Sequence, residues 1–187
     1  MKTIDPKKFA QNIIKLYGGR ENFIKDTESR IKIFNKKWSQ DLDLIGKVLR
    51  SHLVLEHYLI KYIEFLNPNI NSLENTRISF AILIDLLKRD DYLINKLIPG
   101  MIKLNQIRNR IAHNLDKVID ESDAEEFLRI DIFREFRNAL SVGKPLADPL
   151  DILEDFAKYS STWLLNKTDP KSKLWSYALQ VNLNNKA

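Results

Sequence analysis

The stretch SQDLDLIGKVLRSHLVLEHYLIKYIEFL, residues 39–66, followed by Asn67-Pro68-Asn69, decides the fold class. Ile45, Val48, Leu49, Leu55, Leu59, Tyr62, Ile63 and Leu66 recur three and four residues apart, the spacing that puts side chains on one face of an α-helix. Ser39 can cap such a helix, and Asp41 and Asp43 suit the positive end of its dipole. Pro68 ends it, because proline pushes the preceding residue out of the helical region and donates no hydrogen bond. The same spacing continues on both sides with no convincing strand, so the chain is expected to be all-α, a helical bundle with additional N- and C-terminal helices.

Working outward, helices are predicted over about 6–17 and 20–38, a hairpin broken at Gly18-Gly19. Beyond Pro68, a helix is predicted over 73–88 with Ile78, Ala81, Ile82 and Leu86 inward. Asp90 and Asp91 open a short piece to Leu97, and Pro99 suits the first turn of a separate helix carrying Arg108 and His113. Ser122-x-x-Glu125 reads as a capping box starting a helix to about Leu140. Val142-Gly143-Lys144-Pro145 breaks it; Asp148-Pro149 opens another to about Leu165, and a short helix near 174–181 precedes a polar tail. The expected organisation is one all-helical domain over 1–187, with a core at 39–140, basic helices at 1–38 and a helical extension at 141–187.

Composition removes several kinds of chemistry. With no cysteine there are no disulfides, thiolate metal sites or cysteine nucleophiles. His52, His57 and His113 are the only histidines, with no His-Glu-x-x-His pattern and no phosphate-binding glycine loop, so neither metal nor cofactor is expected. No apolar run approaches the roughly 18 residues of a membrane span, and MKTIDPKKFAQ lacks the apolar core of a signal peptide. A cytoplasmic protein with no membrane partner is expected. Through Lys37 ten basic residues face four acidic ones, a local +6 within an overall +5. That segment either steers a polyanion such as RNA or is a solvated lysine-rich face.

The segment Ile107-Arg108-Asn109-Arg110-Ile111-Ala112-His113-Asn114 carries the chemistry. At ~100° per residue, Leu104, Ile107, Ile111 and Leu115 share the core face. Asn109 and His113 then stack near the opposite face with Ile102, Asn105 and Gln106, while Arg108 lies at the flank. An uncharged polar stripe in so charged a chain points to a covered face, such as one shared with a second copy, and Ala112 permits close approach. An imidazole can take the proton of a ribose 2′-hydroxyl, a guanidinium can meet charge growing on a phosphoryl group, and an amide can orient either. The alternative is that Arg108 forms a surface ion pair and His113 sits where a helix dipole favours a cation.

Arg108-Asn109-x-x-Ala112-His113 resembles the Arg-x4-6-His signature of HEPN domains (higher eukaryotes and prokaryotes nucleotide-binding). The stretch from Leu53 through Asn67-Pro68, the helix after it, and Leu104-Asn105-x-Ile107-Arg108-Asn109 resemble the helix order of these proteins and of the related mannitol operon repressor-like group. The resemblance spans roughly Ser39 to Leu140. It implies a homodimer whose motif helices line one cleft, and a metal-independent endoribonuclease acting in a toxin–antitoxin pair, in antiviral defence or in RNA processing. It also implies His113 as general base or acid, Arg108 as phosphate contact and Asn109 as orienting residue, with Ile102, Asn105, Gln106 and Ala112 at the dimer interface. The other implied reading is a noncatalytic module binding a regulatory protein, an antitoxin or nucleic acid. One family branch has tyrosine two positions after the histidine; here it is Leu115, so regulation by modifying that tyrosine is not expected.

His52 and Glu56, four apart near the apolar stripe of the 39–66 helix, are supporting candidates. A carboxylate there either steadies Arg108 or simply meets solvent. Arg50 and His57 match the spacing by accident. Tyr159, Trp163 and Trp175 could stack on bases, but their helical spacing fits packing. No short helix pair with a basic second helix supports a helix-turn-helix.

Overall fold

The structure, a computed structural model, describes residues 5–39, 41–70, 72–73, 76–87, 91–113, 118–140, 148–169 and 171. Among them are eight helices and no strand: α1 Pro6–Leu16, α2 Arg20–Trp38, α3 Leu42–Leu66, α4 Phe80–Asp85, α5 Tyr92–His113, α6 Glu121–Leu128, α7 Asp131–Leu140 and α8 Pro149–Thr168. The all-α class expected from periodicity is therefore observed. The chain divides into two compact units, 1–41 and 42–187.

In the first unit, Asp5 caps α1 by accepting from the Lys7 amide at 2.9 Å, with Pro6 in the first turn. Gly18 and Gly19 take φ of +73° and +127°, a region closed to most side chains, and so release the chain into α2. Tyr17 and Phe23 meet edge to face across this turn.

In the second unit α3 starts at Leu42, not Ser39. Ser39 instead closes α2, its amide donating to the Asn35 carbonyl at 2.8 Å. Val48, Leu55, Leu59, Tyr62 and Ile63 form the buried face of α3, while Leu49, one residue off that face, is exposed. They pack into one core with Ile94, Leu97, Met101, Leu104, Ile107 and Ile111 of α5 and Leu153, Phe156 and Leu164 of α8.

Four further expectations need correction. The 73–88 helix is only α4: Ser79 caps it, its hydroxyl accepting from Ile82 N, and Phe80, Leu83 and Ile84 turn inward with Leu87. Ala81, Ile82 and Leu86 face out, because burying the Phe80 ring against the His52 ring sets the helical phase. No break separates Leu97 from Pro99. One helix, α5, runs from Tyr92, with Asp91 accepting from Leu93 N and Ile94 N at 3.1 and 3.2 Å. Pro99 lies on its exposed side while Leu97, Gly100 and Met101 are buried, and packing outweighs the ~3 kcal/mol an internal proline costs.

The capping box is Asp120 and Asp123, not Ser122 and Glu125; the Ser122 hydroxyl donates to Asp120 Oδ1 at 2.7 Å. Asp123 is drawn into this role because its carboxylate also meets two cations of α5, Lys103 at 3.0 Å and Arg110, whose Nη1 donates at 3.1 Å. Finally, the expected helix from Ser122 to Leu140 is two, α6 and α7. Between them Ile130 turns into the core, and Asp131, paired with Lys96, opens α7.

Asp148 caps α8 as expected, accepting from Leu150 N at 2.9 Å, and the helix continues to Thr168. Tyr159 and Trp163 pack as foreseen, Tyr159 against Phe133, Phe136 and Trp163. Trp175, the 174–181 helix, the Val142–Pro145 breaker and Leu115 lie outside the described residues. No described helix is long and apolar enough to cross a membrane.

At Gly100, α5 and α8 approach so closely that a Cβ would overlap the ring of the fully buried Phe156. Gly100→Ala is expected to destabilise the protein by about 2 kcal/mol through overpacking, read from urea unfolding. A variant as stable as the parent would show that the helices separate freely.

Burial alone would raise the pKa of Asp123, but hydrogen bonds from Arg110, Lys103 and its own cap outweigh it and hold the carboxyl below its ordinary value. Its contribution is thus present above the unfolded value of ~3.9 and lost as pH falls through the lower folded value. Asp123→Asn should cost about 3 kcal/mol at pH 7. The gap from the parent should close in strong acid; an undiminished gap there would argue against the ionic origin.

Candidate functional site

The site is assembled where one flank of α3 meets the last turns of α5. His52, Glu56 and His57 come from α3; Asn105, Arg108, Asn109 and His113 come from α5. The core side of α5 is buried through Leu104, Ile107 and Ile111, as the periodicity predicts, which fixes where the others can point.

His52 is 4% exposed, its Nε2 3.2 Å from Asn105 Oδ1. With an amide oxygen facing it, Nε2 carries the proton and donates. Its Nδ1 is buried without a hydrogen bond, 3.8 Å from Glu56 Oε2. Burial pushes the His52 pKa down, the Asn105 hydrogen bond opposes this, and the nearby charge of Arg108 lowers it further. The ring is therefore neutral at pH 7 and ties α3 to α5.

Glu56 is half-buried, and no hydrogen-bond donor among the described residues reaches it. Burial raises its pKa, and Arg108 pulls it partly back. Arg108 is close enough to act on both groups, yet among the described residues no carboxylate pairs with it. Its Nη1 donates to Asn109 Oδ1 at 3.0 Å, and its Nε is buried without a partner. His113 ends α5, exposed.

The structure thus brings His52, Glu56, Asn105, Arg108 and Asn109 together at one helix crossing, with His113 one turn from Asn109. Ile102, Gln106 and Ala112 are exposed on the outer side of α5, whereas Asn105 turns toward α3. Among the described residues no three metal-ligating side chains converge.

Sequence reasoning missed two features. Arg110, two residues after Arg108, is a structural clamp: besides Asp123 it donates to the Val118 carbonyl at 3.3 Å. The Asp120-x-x-Asp123 spacing was its available signal. The other is a groove of about 400 Å³ beside Glu56, walled by Leu53, His57 and Ile60 of α3 and by Leu73, Thr76 and Ile78. Leu53, Glu56, His57 and Ile60 stand at i, i+3, i+4 and i+7, a second face of α3 that the dominant apolar stripe hid.

No family model, no curated protein and no solved structure matches this chain.

His52, with its folded pKa lowered, contributes stability that is full above the unfolded value of ~6.5 and lost as pH falls. Thermal midpoints between pH 7.5 and 5.5 should decline less steeply in His52→Gln than in the parent. Parallel slopes would assign the acid sensitivity elsewhere. Glu56, with its pKa raised, has the opposite sign: its favourable state is the protonated one, lost as pH rises. Glu56→Gln should accordingly be no less stable than the parent at pH 7, and a loss of stability there would mean that the carboxylate is a structural partner.

Proposed function

We propose that this chain is a metal-independent endoribonuclease of HEPN type, cytoplasmic and homodimeric, with Arg108, Asn109 and His113 of two copies facing one cleft. The reading rests on resemblance for its reaction class. The observation that carries it is the state of the motif groups. Among the described residues Arg108 donates only through Nη1, to Asn109, and His113 makes no hydrogen bond or ion pair. Both are available to a substrate.

In this reading the His113 imidazole accepts the proton of a ribose 2′-hydroxyl, and the 2′-oxygen bonds to the adjacent phosphorus. The bond from phosphorus to the 5′-oxygen breaks, and that oxygen leaves with a proton from the imidazolium of the second copy. A 2′,3′-cyclic phosphate and a 5′-hydroxyl result. Arg108 meets the charge growing on the phosphoryl oxygens, its guanidinium oriented by Asn109. Neutral His52 places no competing cation beside it.

A second reading, a noncatalytic module that binds a regulatory protein, an antitoxin or nucleic acid, is favoured by the first unit. None of the residues in α1 and α2 is buried, and Phe9, Leu16, Phe34 and Trp38 are exposed on basic helices.

The test is cleavage of end-labelled single-stranded RNA in EDTA, with sedimentation at micromolar concentration. The parent should cut to cyclic-phosphate ends and sediment as a dimer, while His113→Ala and Arg108→Ala should fall at least ~100-fold. Folded proteins that are all inert would favour the noncatalytic module, and an active monomer would dismiss the shared cleft.

A further inference from the structure

We propose that the groove beside Glu56 is a guanine subsite, so that the enzyme cuts RNA on the 3′ side of guanosine; this rests on the ribonuclease reading above. The groove's composition is that of a base pocket. Leu53 and Ile60 on one side and Leu73 and Ile78 on the other supply apolar walls for the two faces of a planar ring. His57 stands at its edge, its ring held edge-on to Tyr58 at 5.2 Å, where an imidazole can stack on a base. At about 400 Å³ the groove has room for one nucleobase.

The far wall is built in advance. Glu64 accepts from the Leu73 amide at 2.7 Å and from the Ser72 hydroxyl at 3.2 Å, and the Thr76 hydroxyl donates to the Leu73 carbonyl at 2.6 Å. Glu64 thus holds Ser72 and Leu73 against α3, and Thr76 is tied to Leu73, which lowers the entropic cost of ordering this wall around a ligand.

Glu56 selects among the bases. Its carboxylate offers two acceptor oxygens and no donor. Guanine presents two adjacent donors, N1–H and N2–H, which match those oxygens in a two-bond fork. Adenine and cytosine place an acceptor nitrogen beside their single amino group, and uracil flanks its one N–H with carbonyls. Each of these sets a lone pair against the carboxylate, an arrangement that costs more than a missing contact. Glu56 is free for this use, since no described donor bonds to it and the charge of Arg108 acts on it without forming a pair. Arg108 is also the cation expected to hold the phosphate. With the base on Glu56 and the 3′-phosphate toward Arg108, the ribose between them carries the attacking 2′-hydroxyl.

The experiment is calorimetric titration of the full chain with the 3′-monophosphates of guanosine, adenosine, cytidine and uridine, beside cut-site mapping on a mixed-sequence RNA. The parent should bind the guanosine nucleotide about tenfold or more tightly than the others. Glu56→Gln should lose that preference while keeping its circular dichroism spectrum, and Leu53→Trp, which fills the groove from its exposed rim, should weaken the guanosine nucleotide alone. Equal affinities in the parent, or an intact preference in both variants, would overturn the subsite. RNA cutting without guanosine preference would overturn the subsite and leave the nuclease standing. Guanosine preference without cutting would do the reverse.

Discussion

A buried carboxylate at the start of α6 positions the candidate residues at the end of α5. Asp123 is 1% exposed and would be costly there alone. It is met by Arg110 through two nitrogens, by Lys103 at 3.0 Å and by the Asp120 amide at 3.2 Å. Lys103 and Arg110 are two turns apart on α5, so one carboxylate fixes both the rotation and the height of that helix. Arg108, Asn109 and His113 inherit their directions from this clamp. The second fixed point is Gly100, where α5 meets Phe156 of α8 with no room for a methyl group. Between them the motif helix has little freedom to turn.

The site held in this way is not arranged for stability. His52 is buried with one nitrogen unsatisfied, and Glu56 carries a charge that its surroundings resist. Around Asp123, by contrast, Arg110 and Lys103 both meet the carboxylate, although Arg110 Nε is itself buried without a hydrogen bond among the described residues. Groups shifted by burial at a cleft, next to a cation that no carboxylate among the described residues pairs with, form the kind of cluster that functional sites contain. The two sides of the α5 segment from Lys103 to His113 therefore differ: one carries the paired cations Lys103 and Arg110, the other Asn105 and Arg108 beside the shifted groups His52 and Glu56.

How much of this was legible in the sequence follows from which force sets each feature. The long helices were readable because burial of an apolar stripe dominates them, as in α3 from Val48 to Ile63 and α8 after Asp148. The phase of α4 was not, since Ala81, Ile82 and Leu86 compete with Phe80, Leu83 and Ile84 as an apolar face, and only the ring of His52 across the interface decides. Pro99 looked like a helix start because its local cost is plain, while the packing that offsets it comes from distant residues. Ser122 and Glu125 satisfied the capping pattern as well as Asp120 and Asp123 do; the choice is made by Arg110 and Lys103, thirteen and twenty residues upstream. Within the candidate site, Arg108, Asn109 and His113 were readable from their residue types, whereas the His52–Asn105 hydrogen bond and the groove depend on how α3 crosses α5.

Arg108 and Arg110 show why spacing alone cannot assign the site. Two residues apart on a helix, they point ~200° from one another, and by composition they are equivalent. Arg110 lies on the side of α6 and spends both terminal nitrogens on Asp123 and the Val118 carbonyl. Arg108 lies on the side of α3, where the only acceptor it uses among the described residues is a neutral amide. A guanidinium has five donors and a strong preference for anionic oxygens. One that the fold leaves beside an amide, within reach of Glu56 but unpaired with it, still has its main bonding capacity to offer, and a phosphate is the ligand whose geometry and charge would use it best.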